Sequence, residues 1–241
     1  MNIIPISEII YDTIQGEGVN CGAFANFIRV MGCSYRCTWC DTKYAQDVTD
    51  SPLSMESVAL ANHFMENYPS TYRDLPIILT GGDPLHYDFS GFITRIREEY
   101  PTQQFWVETQ GVFTPPWVFD VDYMAVSPKL PSSGMWDETQ RDFPRFMEVF
   151  YKNDTALVNG EIKFVVADDD DLDAAVELLG YNEGLCWSVV FQPCALEGNS
   201  VEGLCNKTRI LLENVRELEL PYSVYVLPQL HRLLWGTARG V

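Results

Sequence analysis

Positive charge is scarce in this 241-residue chain: sixteen lysines and arginines stand against thirty-four acidic residues, for a formal charge of −18. So acidic a surface repels phosphate backbones, which argues against a nucleic-acid partner, and it otherwise reads as a solvated face. No lysine or arginine precedes Arg29, so the positive n-region of a secretory signal is missing. Uninterrupted apolar runs long enough to span a bilayer are missing too, and the expectation is a soluble, cytoplasmic protein with no membrane partner. Internal repeats, low-complexity tracts and Gly/Ser linkers are also lacking. The least regular stretch, residues 129–136, is short enough to be a loop. A chain of this length that is 46% hydrophobic can bury roughly 70% of its unfolded surface, so residues 1–241 are expected to form one domain.

What is present is an alternation. Apolar, β-prone runs recur at residues 24–31, 76–79, 104–108, 121–126, 161–166, 187–191 and 222–227. Helical patterns fall between them at 55–68, 89–100, 138–150, 172–179 and 202–218. Strands alternating with helices predict a mainly parallel α/β sheet or partial barrel. Ser54 with Ser57, and the run Asp168-Asp169-Asp170-Asp171, sit where helices begin, a place where backbone amides and the helix dipole favour such side chains. The acidic run therefore reads as a helix start and not as a cation site.

Of seven cysteines, three crowd together as Cys33, Cys37 and Cys40. In a reducing compartment that crowding reads as metal binding before disulfides. The three follow a strand and so project from its carboxyl edge, where α/β folds build their sites. A cubane iron–sulfur cluster normally takes four thiolates, so three leave one iron open to a substrate or cofactor. The spacing also suits zinc, whose fourth ligand would come from His63 or a remote cysteine. Cys186, Cys194 and Cys205 are too widely spaced for a second compact cluster and read as ordinary thiols.

Cys-x3-Cys-x2-Cys after a strand resembles the signature of the radical S-adenosylmethionine enzymes. That resemblance implies a [4Fe-4S] cluster whose open iron binds the amino and carboxylate groups of S-adenosylmethionine, and whose reduction releases a 5′-deoxyadenosyl radical. Thr80-Gly81-Gly82-Asp83-Pro84 follows another strand candidate, and its paired glycines let backbone approach a ligand closely. It resembles the superfamily's Gly-Gly-Glu-Pro motif, which meets the methionine end of the cofactor, with Asp83 in place of the usual glutamate.

Four further segments are similar to the 7-carboxy-7-deazaguanine synthase family. They are Ile14-Gln15-Gly16-Glu17-Gly18, Glu108-Thr109-Gln110-Gly111, Ser127-Pro128-Lys129-Leu130-Pro131-Ser132-Ser133-Gly134-Met135 and Leu227-Pro228-Gln229-Leu230-His231. With the tail at residues 235–241 the likeness covers nearly the whole chain, and Gln110 departs from the asparagine usual there. The family implies an incomplete (β/α) barrel of the radical S-adenosylmethionine type, a homodimer, and an electron donor such as flavodoxin or ferredoxin. It also implies the reaction: hydrogen abstraction from C6 of 6-carboxy-5,6,7,8-tetrahydropterin, ring contraction, loss of ammonia and release of 7-carboxy-7-deazaguanine on the way to deazapurines such as queuosine.

A carboxamide and a carboxylate at Gln15 and Glu17 suit the paired donors and acceptors of a pterin edge. Arg29 is a cation inside an apolar strand and needs an anion, which an internal acid or, by resemblance, the substrate carboxylate supplies. Resemblance adds Thr80 and His231 to the substrate contacts. It places Gly81, Gly82, Asp83, Glu108, Thr109, Ser127 and Lys129 against the cofactor, and gives Mg2+ to Thr42 with Asp41 as a rival ligand. Two other readings remain for the motif: an activase that abstracts hydrogen from a glycine of a partner protein, and a zinc-stabilised binding protein without catalysis.

Overall fold

The computed structural model describes residues 3–49, 53–68, 74–152, 158–180, 187–195, 200–238 and 240. Nine strands form one sheet in the order β3-β1-β2-β4-β5-β6-β7-β8-β9, and the sheet does not close. The strands are β1 (Ile3–Ile14), β2 (Phe24–Val30), β3 (Leu53–Glu56), β4 (Ile77–Gly81), β5 (Phe105–Thr109), β6 (Tyr123–Val126), β7 (Asn159–Val166), β8 (Ser188–Pro193) and β9 (Val224–Val226). From β2 to β9 every neighbour is parallel, while β1 runs antiparallel to β2 and to β3. All seven strand candidates are present. The expected mainly parallel, incomplete barrel is the architecture found.

The helices are α1 (Ser57–Asn67), α2 (Ser90–Glu99), α3 (Trp136–Lys152), α4 (Asp169–Leu179), α5 (Val201–Glu217) and α6 (Leu230–Trp235). Strand residues of one parity, such as Ile28, Leu79, Val107, Met124, Ile162 and Phe191, bury in a large core shared with Phe64, Phe92, Phe143 and Phe146 from the helices. The other parity faces the barrel interior and is layered. Near the amino ends Phe27, Ile78 and Trp106 pack together with Ala25 and Ile10. Two residues further on, the same face carries Arg29, Thr80 and Glu108, and on β7 it carries Glu161 and Lys163. An apolar floor therefore supports a polar upper layer at the carboxyl edge.

The structure corrects one local expectation and meets another. Ser54 lies in β3 opposite Pro5, and α1 starts after an extended Glu56 with no side-chain cap; the Ser57 hydroxyl accepts the Phe92 amide instead. Asp168 does cap α4, its side chain accepting the Asp171 amide at 3.0 Å. Cys186 lies outside the described residues, whereas Cys194 is buried and Cys205 exposed. Among the described residues no helix is long and apolar enough to cross a membrane.

Candidate functional site

Cys33, Cys37 and Cys40 occupy the loop that leaves β2 at the carboxyl edge. Amides point at the sulfurs: Tyr35 N–H donates to Cys33 Sγ and Thr42 N–H to Cys40 Sγ, both at 3.4 Å, and Gln110 Nε2 lies 3.6 Å from Cys33 Sγ. Burial pushes all three thiols up, Cys37 to about 11; Asp83 adds to it at Cys33, the other two sulfurs at Cys37 and Asp41 at Cys40, against the nearby Lys129. A metal bound by these thiols would favour their thiolate form.

Three thiolates on one zinc ion, each at about 2.3 Å, would lie roughly 3.8 Å apart. Among the described residues only Glu17, Asp41 and His231 bring three ligand atoms of such residues within 4.8 Å of one another, so at least one pair of the triad's sulfurs stands farther apart than that. His63, on α1, joins no such group. A three-thiolate set on a wider base, with amide donors to sulfur, fits an iron–sulfur cluster.

Beside this loop the polar upper layer forms a connected cup. Gln15 Nε2 donates to Glu108 Oε1 at 2.9 Å, and Thr80 Oγ1 donates to Glu108 Oε2 at 2.6 Å. Glu17 is gripped from two sides, by the Lys163 ammonium and by Gln229 Nε2 at 2.6 Å. Burial alone would raise the Glu17 pKa, but Lys163, His231 and these hydrogen bonds hold it well below the usual carboxylate range. Burial likewise disfavours charge on Lys163, and Glu17 with Glu108 overcomes it. Glu161 accepts Val19 N–H at 2.7 Å and the Tyr123 hydroxyl at 3.0 Å; burial pushes its pKa up. Gly18 has φ +69°, and a Cβ there would fall 1.9 Å from Glu161 Oε1, so the loop needs glycine to close over that carboxylate. Arg29 finds an internal acid: its Nε donates to Glu8 Oε1 at 2.7 Å, which engages one of the five guanidinium N–H donors.

The Gly81-Gly82 pair has a reason the sequence did not show. What approaches it is the chain's own backbone: a Cβ on Gly81 would sit 2.2 Å from the Val30 carbonyl oxygen, and one on Gly82 2.0 Å from that of Gly32. This packing brings Asp83 beneath the cysteine loop, fully buried. One of its oxygens accepts Leu85 N–H at 3.1 Å and Thr109 Oγ1–H at 3.0 Å, while Oδ2 has no donor. Burial raises the Asp83 pKa to about 7. A buried acceptor left orphaned fits a ligand that brings a donor, such as the amino group of S-adenosylmethionine. Lys129 stands 5.8 Å from the Trp39 ring and donates to Ser127 Oγ at 2.9 Å. Thr42 Oγ1 donates to Asp41 Oδ1 at 2.8 Å.

The candidates thus fall into three adjoining groups: the cysteine loop with Thr42; Gly81, Gly82, Asp83, Thr109, Ser127 and Lys129; and Gln15, Glu17, Arg29, Thr80 and His231. Glu108, expected with the second, bonds directly to members of the third. Sequence reasoning missed Lys163, Gln229, Glu161 and Glu8. Lys163 carried a signal, being a lone cation in an apolar strand as Arg29 is.

Residues 14–114 match the family described as 4Fe-4S single cluster domain. The 7-carboxy-7-deazaguanine synthase of Bacillus cereus is 30% identical, with 100% of each chain covered. The crystal structure of QueE from Escherichia coli superposes with a TM-score of 0.62 at 25% identity, covering 93% of this chain and 95% of that one. The fold is shared with anSMEcpe bound to AdoMet, at a TM-score of 0.52 and 15% identity over 86% of this chain and 62% of that one.

Proposed function

The chain belongs to the 7-carboxy-7-deazaguanine synthase family, and from that membership we infer a radical S-adenosylmethionine enzyme that contracts 6-carboxy-5,6,7,8-tetrahydropterin to 7-carboxy-7-deazaguanine with loss of ammonia. The observation that carries the reading is the cysteine loop standing over a polar cup whose floor is sealed. Directly beneath Gln15, Glu17 and Glu108, down to Ile78, Trp106 and Tyr123, the interior leaves about 10 Å³, room for no more than one water.

Cys33, Cys37 and Cys40 would hold the [4Fe-4S] cluster, and Gly81, Gly82, Asp83, Thr109, Ser127 and Lys129 the cofactor. Once bound, the pair supplies the adenosyl radical that removes hydrogen from the substrate. The chain's own residues bind and orient. Gln15 and Glu17 present acceptors and a donor to the pterin edge, with Lys163 and Gln229 keeping Glu17 ionised and in place. The Arg29 fork takes the substrate carboxylate, while Glu8 fixes its orientation through Nε. Thr80, Glu108 and His231 complete the cup.

Magnesium belongs to the same proposal. Asp41, Glu17 and His231 bring ligand atoms within 4.8 Å of one another, the Thr42 hydroxyl is hydrogen-bonded to Asp41, and a hard cation prefers the oxygens. A homodimer, a flavodoxin or ferredoxin as electron donor, and a reducing cytoplasmic setting complete the reading on family grounds.

The test is anaerobic reconstitution followed by incubation with 6-carboxy-5,6,7,8-tetrahydropterin, S-adenosylmethionine, Mg2+ and dithionite. The deazaguanine product and its loss in Cys37→Ala are expected. A reconstituted protein that cleaves the cofactor but yields no deazaguanine would overturn the substrate assignment.

A further inference from the structure

The acidic run at the start of α4 divides by burial. Asp168, Asp169 and Asp170 are exposed, whereas Asp171 is 0% exposed. A helix start does not require a buried carboxylate, so its partners explain it. Asp171 Oδ1 accepts the Ser132 amide at 2.8 Å; Oδ2 accepts the Ser132 hydroxyl at 2.6 Å and the Ala167 amide at 2.8 Å. Both donors of Ser132 thus point at one carboxylate, in the short geometry of charge-assisted bonds.

Ser132 in turn faces the cysteine loop. Its carbonyl accepts the Thr38 hydroxyl at 3.0 Å, its hydroxyl oxygen accepts Trp39 Nε1–H at 3.0 Å, and the neighbouring Ser133 carbonyl accepts the Thr38 amide at 2.9 Å. Thr38 and Trp39 are the residues between Cys37 and Cys40. The Ser132 hydroxyl has one hydrogen, and Asp171 takes it; only in that orientation does the oxygen turn its lone pairs to the indole N–H. The carboxylate therefore sets the polarity of a bond two steps away.

We propose that Asp171 is a positioning residue of the cluster site: through Ser132 it fixes Thr38 and Trp39, and with them the relative placement of the Cys37 and Cys40 thiolates. The proposal rests on the cluster reading above. In Asp171→Asn the amide group opposes either the Ser132 N–H or its hydroxyl, and the relay is broken without a change of size. Ser132→Ala removes the hydroxyl arm to Trp39 while leaving the carboxylate bonded to the backbone amides of residues 132 and 167.

Hydrogen exchange on the metal-free chain reads the relay without the cluster. The Trp39 indole N–H, whose acceptor is the Ser132 hydroxyl, should exchange at least tenfold faster in both variants, and no faster in Asp168→Ala, which loosens the α4 cap but leaves Ser132 in place. After reconstitution, both variants should lose iron to a chelator severalfold faster than the parent and show an altered EPR signal with S-adenosylmethionine. They should also release more 5′-deoxyadenosine per deazaguanine formed. The double variant Asp171→Asn with Trp39→Phe should be no worse than the more severe single variant. Parental exchange, chelation and EPR in Ser132→Ala, or additive losses in the double variant, overturn the proposal. A parent that assembles no cluster overturns the underlying reading and the proposal together, whereas a parent with a cluster and unaffected variants overturns the proposal alone.

Discussion

Lys163 is one of sixteen basic residues, and the fold places it inside the barrel against a buried carboxylate. Lys163→Met would keep the side chain's bulk but leave Glu17 with Gln229 as its remaining donor, and breaking a buried pair from one side costs roughly 3–5 kcal/mol. The sign of the pH dependence follows. In the parent, Glu17 has a depressed pKa, so its contribution is present above the unfolded pKa and fades as pH falls. In the variant the unpaired carboxylate takes up a proton more readily folded than unfolded, so stability rises as pH falls through that interval. The deficit of Lys163→Met, measured by urea unfolding of the metal-free chain, should be largest near neutrality and shrink as pH falls, first because the variant's Glu17 takes up a proton and then, below the unfolded carboxylate pKa of about 4.3, because the parent's pair weakens. A deficit independent of pH would show that the folded chain does not hold an ionised pair. At this scale the sequence made Arg29 legible because a cation in an apolar strand stands out, while its partner Glu8 was hidden in a strand that periodicity did not reveal.

At the scale of elements, the parallel strands were readable because burial on both sides makes their sequences nearly continuous apolar runs. β1 was not: Pro5, Glu8 and Asp12 interrupt it, and its register with β2 shifts twice, between Ile6 and Glu8 and between Ile10 and Thr13. Bulges of this kind erase a period of two. β3 has four residues and α6 has six with none buried, too little for a pattern to emerge. The inward parity of the strands, apolar low and polar high, was visible only once register aligned Arg29 with Thr80 and Glu108 with Ala125. The start of α4 was legible as a cap, and it gives an element-scale prediction. Asp168→Ala removes the bond to the Asp171 amide and should destabilise the chain by about 1 kcal/mol, seen as a lower urea midpoint with an unchanged slope. An unchanged midpoint would mean that tertiary packing alone holds the first turn.

For the whole molecule the dominant quantity is the charge of −18. Self-repulsion favours the expanded chain, and opposing it are exposed pairs such as Arg36–Asp47 and Arg209–Glu213, each worth at most about 1 kcal/mol. Salt weakens both, since the screening length falls from about 30 Å at 0.01 M to about 10 Å at 0.1 M. It acts first on the many like charges that lie far apart, because contacting pairs sit well inside either length. Repulsion therefore loses more than attraction does, and the metal-free chain should gain stability as potassium chloride is raised over that range. For a chain of this size each 1 kcal/mol gained appears as about 2–4 °C in the thermal midpoint. Chloride is the appropriate anion, since sulfate would strengthen burial by a separate route. A midpoint that falls with salt would place the balance with the ion pairs and would mean that the acidic residues are matched by cations more closely than their numbers suggest.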